Sequence, residues 1–262
     1  MSTSALAAPR PQRSAVPLSR LVRVELRKMF DTRSGAWLLA SIAILAALAT
    51  LAVILLAPAG ELRYSTFAGA VGFPMTVLLP VVAVLSVTGE WSQRTGLITF
   101  TLAPHRGQVI LAKAIAAVAV GVLSMLLAFA LGALGNVVGS ATKGVDASWD
   151  VGAGDLLLIL LAQVLGLLVG FMLGVLFRSS AAALVAYLVY AFVLPSVLAV
   201  LAATQRWFAD IRPWVDLSFA QGQLFNGRVS GEEWANLAVS GFAWLLAPLV
   251  LGLCVVLRSE VK

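Results

Sequence analysis

Few residues in this chain are equipped for covalent chemistry: one histidine, His105, one cysteine, Cys254, and twelve carboxylates. A hydroxyl nucleophile needs a general base within hydrogen-bond reach. His105 falls in a predicted loop between two apolar stretches, so serine-type proteolysis inside a membrane is closed by counting. The GAGD run at 152–155 resembles the Gly-x-Gly-Asp element of intramembrane aspartyl proteases. That chemistry requires two facing carboxylates, and the preceding apolar stretch holds none to face Asp155, so the match reads as chance. No Gly-x-x-x-x-Gly-Lys-Ser/Thr loop is present to cradle a nucleotide's phosphates, so ATP is not expected on this chain in that way. Cys254 lies inside an apolar stretch and reads as an inert small hydrophobe. A single cysteine allows no intrachain disulfide and no Cys-rich metal site.

One carboxylate stands out by position. In LSRLVRVELRKMFDTRSG, from Leu18, apolar residues recur at 18, 21, 22, 26, 29 and 30, with cations at 20, 23, 27 and 28. At 100° per residue this predicts an amphipathic helix at a membrane surface, and Glu25 projects from the middle of its apolar stripe. An unpaired carboxylate is costly there. Either the helix frays and Glu25 is solvated, or Glu25 makes a buried contact with another element.

The elements that must position such residues are six apolar stretches, 36–57, 67–89, 109–138, 154–177, 181–203 and 235–257. Each reaches the roughly 20 residues that match a hydrocarbon core of about 30 Å. The chain is 61% hydrophobic and 11% charged, against about 45 to 50% and about 25% in soluble domains. The expected fold is therefore all-α and integral to a membrane. A mobile tail is expected over 1–17, without the apolar core of a secretory signal, and a single membrane domain over 18–262. The net charge of +6 does not suggest nucleic acid, because its distribution is a topology signal. With the N-terminus in the cytoplasm, thirteen Lys and Arg fall on the inner side and five on the outer. The positive-inside rule then puts both termini in the cytoplasm.

Further features refine the layout. Pro74 and Pro80 interrupt the second stretch, and each removes a backbone hydrogen bond. Gly166, Gly170 and Gly174 form a ridge of missing side chains in the fourth, suited to close packing within one subunit or to a seam between two. Over 204–234, Trp207, Phe208, Trp214, Phe219, Phe225 and Trp234 alternate with charges, which predicts short re-entrant or interfacial helices at the outer surface. Proton-coupled transport generally needs ionisable groups in mid-membrane. Lys113, Asp155 and Arg178 lie near stretch ends, and the deeper polar residues, Asn136 and Gln163, are neutral.

Between the second and third stretches runs GEWSQRTGLITFTLAPHRGQVILAK, residues 89–113. Glu90 and Arg94 stand at i, i+4, Trp91, Ile98 and Leu102 share a neighbouring face, Gly96 interrupts the turn and Pro104 stops it. A short amphipathic helix between two spans is suited to docking a soluble protein. Here the chain resembles the permease subunits of ATP-binding-cassette (ABC) transporters of the type 2, exporter-like class, known from bacterial drug and antibiotic export. The resemblance rests on Glu25-Leu26-Arg27-Lys28 before the first span, and on Glu90...Arg94-Thr95-Gly96-Leu97...Pro104-His105-Arg106...Lys113 after the second. The six-span layout, with its larger outer segment before the last span, is the third feature.

This resemblance implies a half-transporter in the cell membrane, of bacterial inner-membrane type. Two such permeases, identical or paralogous, would work with two copies of a separate ABC ATPase. ATP and Mg would sit on that partner, and this chain would bind no cofactor. By position, Glu90, Arg94, Gly96, Pro104 and Arg106 would belong to a coupling region over 90–108 that engages the ATPase. Glu25, Arg27 and Lys28 would belong to a connecting helix over 18–33. The family's second and fifth spans tend to line the path, which would put Thr76, Leu79, Tyr187, Tyr190 and Phe192 near an amphipathic, peptide or lipid-like substrate. A non-transporting scaffold or sensor, and an ion-coupled secondary carrier, are the competing classes.

Overall fold

The computed structural model describes residues 17–31, 33–92 and 106–258. Among them there is no β-strand, and six helices are long and apolar enough to cross a membrane. In lipid a backbone must satisfy its own hydrogen bonds, and uninterrupted helices do so. The chain is thus a multi-pass membrane protein. Helix α1 (Leu18–Asp31) leads after one residue into α2 (Arg33–Leu56). It is followed by α3 (Tyr64–Ser92), α4 (Arg106–Lys143) and α5 (Ala153–Phe177). The fifth span is α6 (Ser180–Thr204), then come two short helices, α7 (Arg206–Val215) and α8 (Leu217–Gly222), and last α9 (Gly231–Arg258). We call the bundle end that carries α1 and Arg258 proximal and the other distal.

The predicted spans and the helices agree in number and order, with one marked difference in length. At 38 residues α4 is about 57 Å long, nearly twice a hydrocarbon core, so it projects beyond the layer its apolar middle fits. α3 is central and lies against α2, α4 and α5. Val71, Met75 and Leu79 of α3, Ala117 and Met125 of α4, and Leu167 and Phe171 of α5 form the main core.

The glycine ridge of α5 serves this packing inside one subunit. A Cβ on Gly170 would stand 2.7 Å from the Pro80 carbonyl oxygen and 2.8 Å from its Cα, and Gly174 faces Val84 and Val87 of the same α3. Gln163 adds a donor to the seam, its Nε2 bonding to the Gly72 carbonyl at 3.1 Å. The hairpin from α5 to α6 turns on Arg178, whose φ of 52° is left-handed and whose N–H closes the helix on the Gly174 carbonyl.

The distal loop before α5 is pinned to the start of α3. The Ser65 N–H and hydroxyl donate to the two carboxylate oxygens of Asp150, at 2.9 and 2.6 Å. Partial burial works against the charged Asp150. The two Ser65 hydrogen bonds and the nearby Arg63 cation outweigh it and hold the carboxyl below its ordinary value.

Candidate functional site

Glu25 is buried. α1 lays the face bearing Leu18, Leu21, Val22 and Met29 against the flank of α4 and beside α2, and Glu25 lies at the centre of that face, 8% exposed. Its Oε2 accepts a hydrogen bond from Lys113 Nζ of α4 at 2.6 Å, and its Oε1 one from Lys28 Nζ at 2.8 Å. Lys113 is itself only 5% exposed and also donates to the Ser86 carbonyl of α3 at 3.3 Å. One carboxylate thus ties α1, α4 and, through Lys113, the proximal end of α3. A buried ion is tolerated only when paired and hydrogen-bonded, and here both partners meet that condition.

Two residues further along α3, the fully buried Thr88 shares a hydrogen bond of 2.7 Å with the Ser180 hydroxyl at the start of α6. The roots of the 89–113 segment are therefore gripped from both sides. Ser86 and Thr88 lie within two turns of the end of α3, and Lys113 lies two turns into α4. Arg94, Gly96, Pro104 and His105 fall outside the described residues. Glu90 and Arg106 are in the terminal turns of α3 and α4, but their side chains fall outside the description as well. Arg27 is exposed and pairs loosely with Asp31 at 3.5 Å.

Midway along the bundle lies a second polar group. Pro80 has no N–H, so the carbonyl four residues earlier, that of Thr76, loses its helical donor. The Tyr187 hydroxyl of α6 donates to that carbonyl instead, crossing from the fifth span to the second. Thr76 and Tyr187, both expected near a substrate path, are thus brought together. Tyr190 continues the group, its ring centroid 6.3 Å from that of Tyr187 and 6.2 Å from that of Trp244 in α9. Both helices widen at this level into a π-helical turn, over Val189–Val193 and Phe242–Leu246. Such turns occur often at functional sites. Phe192 is 46% exposed on the other side of α6, and Leu79 is buried in the main core.

The segment before α9 re-enters the bundle. Trp244 Nε1 donates to the Val215 carbonyl at 2.7 Å, and Trp244 is halfway along the 28-residue α9. Gln221 Nε2 donates to the Ala162 carbonyl at 2.7 Å. Ala162 lies nine residues into α5, about 13 Å below its distal end. α7 therefore descends to mid-depth and α8 starts the return.

At the turn Arg212 Nε meets Asp216 Oδ2 at 3.0 Å, with side chains 18% and 2% exposed. The Asp216 Oδ1 caps α8 by accepting from the Phe219 N–H, and the Arg212 guanidinium lies 4.7 Å above the Phe219 ring. The sequence places both charges outside the spans, and the fold carries them inside. The pair is closed on itself, each charge meeting the other at the turn.

Among the described residues no group of three or more His, Cys, Asp or Glu side chains could hold a metal ion. No protein-family model and no curated protein matches this sequence.

Proposed function

We propose that this chain is the membrane-spanning subunit of an ATP-driven exporter, powered by a separate ABC ATPase present in two copies and paired with a second permease subunit. The proximal end is then the cytoplasmic end, both termini lie in the cytoplasm, and the cell membrane of a bacterium is the compartment. One observation carries this reading beyond the sequence resemblance. The amphipathic helix before the first span is ion-paired through Glu25 to Lys113, and Lys113 donates a hydrogen bond to the Ser86 carbonyl, at the two roots of the proposed coupling segment.

Mechanically, ATP binding closes the ATPase pair, and the 90–108 segment passes that motion to α3 and α4. A loose joint there would dissipate the stroke, and the Glu25 bridge makes α1, α3 and α4 move together. The Tyr187 bond to the proline-freed carbonyl of Thr76 relays motion of α3 to α6 at mid-depth. The rings of Tyr190 and of the partly exposed Trp244 beside it suit an amphipathic, peptide or lipid-like cargo better than a sugar.

The test is purification of the tagged chain from its native membrane. Co-purification of an ATPase encoded beside it supports the reading. Transport in liposomes that contain this chain and no ATPase rules it out.

A further inference from the structure

Glu25 engages Lys28 and Lys113, and Arg27 pairs loosely with Asp31, so the arginines of α1 that have no role above are Arg20 and Arg23. Counted around the helix from Glu25 at 100° per residue, Arg20, Arg23 and Arg27 fall within roughly 60° of one another on the opposite side. All three are exposed. Because α1 rests on the flank of α4, the face opposite Glu25 points radially outward from the bundle.

The depth of that face is fixed independently. The apolar part of α2 begins at Gly35, four residues after α1 ends, and Trp37 there is 72% exposed, as an interfacial anchor would be. On α3 the apolar stretch ends at Gly89, three residues from Ser86, whose carbonyl meets the lysine that holds Glu25. α1 is thus level with the boundary between hydrocarbon and headgroups. Phe30, 52% exposed, flanks the arginines on one side and Val24, 46% exposed, on the other.

We infer that this outward face of α1 binds the phosphate headgroups of anionic phospholipids, with Arg20 and Arg23 as the principal contacts. Charge and shape both select this occupant: guanidinium forks match phosphate oxygens, and the flanking Phe30 and Val24 suit the upper acyl chain. Arg27 contributes less, because Asp31 neutralises part of its charge. The inference needs neither the ATPase nor a particular orientation in the membrane. It would survive failure of the exporter reading, and its own failure would leave that reading standing.

The experiment places the purified full chain in nanodiscs of phosphatidylcholine and phosphatidylglycerol and measures which lipid is enriched in its first shell with spin-labelled analogues of each. Phosphatidylglycerol is expected to be enriched at the α1 site by about fivefold per engaged guanidinium. Arg20→Gln with Arg23→Gln should remove most of that enrichment, and Arg20→Lys with Arg23→Lys should retain most of it, which separates lost charge from lost folding. Equal enrichment in the glutamine variant overturns the inference, as does the absence of enrichment in the unaltered chain. Abolition of enrichment by inorganic phosphate would make the face a free-anion site. Unchanged enrichment with loss of ATPase capture would assign the arginines to the protein partner. Either result also overturns the inference.

Discussion

Tyr187→Phe should destabilise the bundle through a carbonyl that Tyr187 does not share a helix with. Pro80 leaves the Thr76 carbonyl without its helical donor, and the Tyr187 hydroxyl supplies one. Removing the hydroxyl strands a half-buried acceptor, which costs about 1–3 kcal/mol, whereas an ordinary exposed hydroxyl would cost almost nothing. The ring stays, so little packing is lost. The origin of the cost is separable. In a Pro80→Ala background residue 80 regains an N–H and can donate to Thr76 itself. Tyr187→Phe should then cost about 1 kcal/mol less than it does alone, even though Pro80→Ala opens a small void against Gly170. Denaturant unfolding of the four proteins in one detergent, monitored by tryptophan fluorescence, measures the cycle. Strictly additive costs would refute the claim that Tyr187 substitutes for the missing donor.

Three further outcomes follow from the geometry. Glu25→Gln leaves Lys113 in a buried site without its carboxylate, which should cost about 2–3 kcal/mol by thermal unfolding and lower substrate-stimulated ATP hydrolysis in the assembled complex, and adding Lys113→Met should recover part of the stability. Gly170→Ala drives a methyl into the Pro80 backbone and should cost about 1–3 kcal/mol, while Gly154→Ala, with nothing within 4 Å, should be neutral in the same assay. The Asp150 carboxyl is held below its ordinary value of 3.8, so its contribution to pinning the distal loop is complete above that pH and disappears as pH falls through the lower folded value. Hydrogen exchange at the Ser65 amide, flat from neutral pH to about 5 after correction for intrinsic rates and rising below about 4, checks this, and Asp150→Asn should remove the transition.

The spans were legible in the sequence because lipid imposes the same demand on every residue of a crossing helix. What escaped depends on which faces meet. Glu25 was visible as an anomaly on an apolar stripe, but its partner lies 88 residues away and follows only from the register of α1 on α4. Arg212 and Asp216 stand at i, i+4, and the pair was not read from the sequence. Their depth follows from the bond between Trp244 and the tip of α7, which no local spacing reveals. The glycine ridge was equally compatible with a subunit seam until Pro80 was found against Gly170. The orphaned carbonyl of Thr76 was the missed signal, since a proline inside a helix always frees the acceptor four residues before it.

The most direct test of the central claim uses Thr76→Cys in a chain whose Cys254 is replaced by alanine, in membranes that also contain the ATPase captured with it. If nucleotide drives this bundle between two states, alkylation of residue 76 will differ between the nucleotide-free complex and the complex trapped with ATP, and Glu25→Gln will shrink that difference. Identical alkylation rates with and without nucleotide would contradict the account.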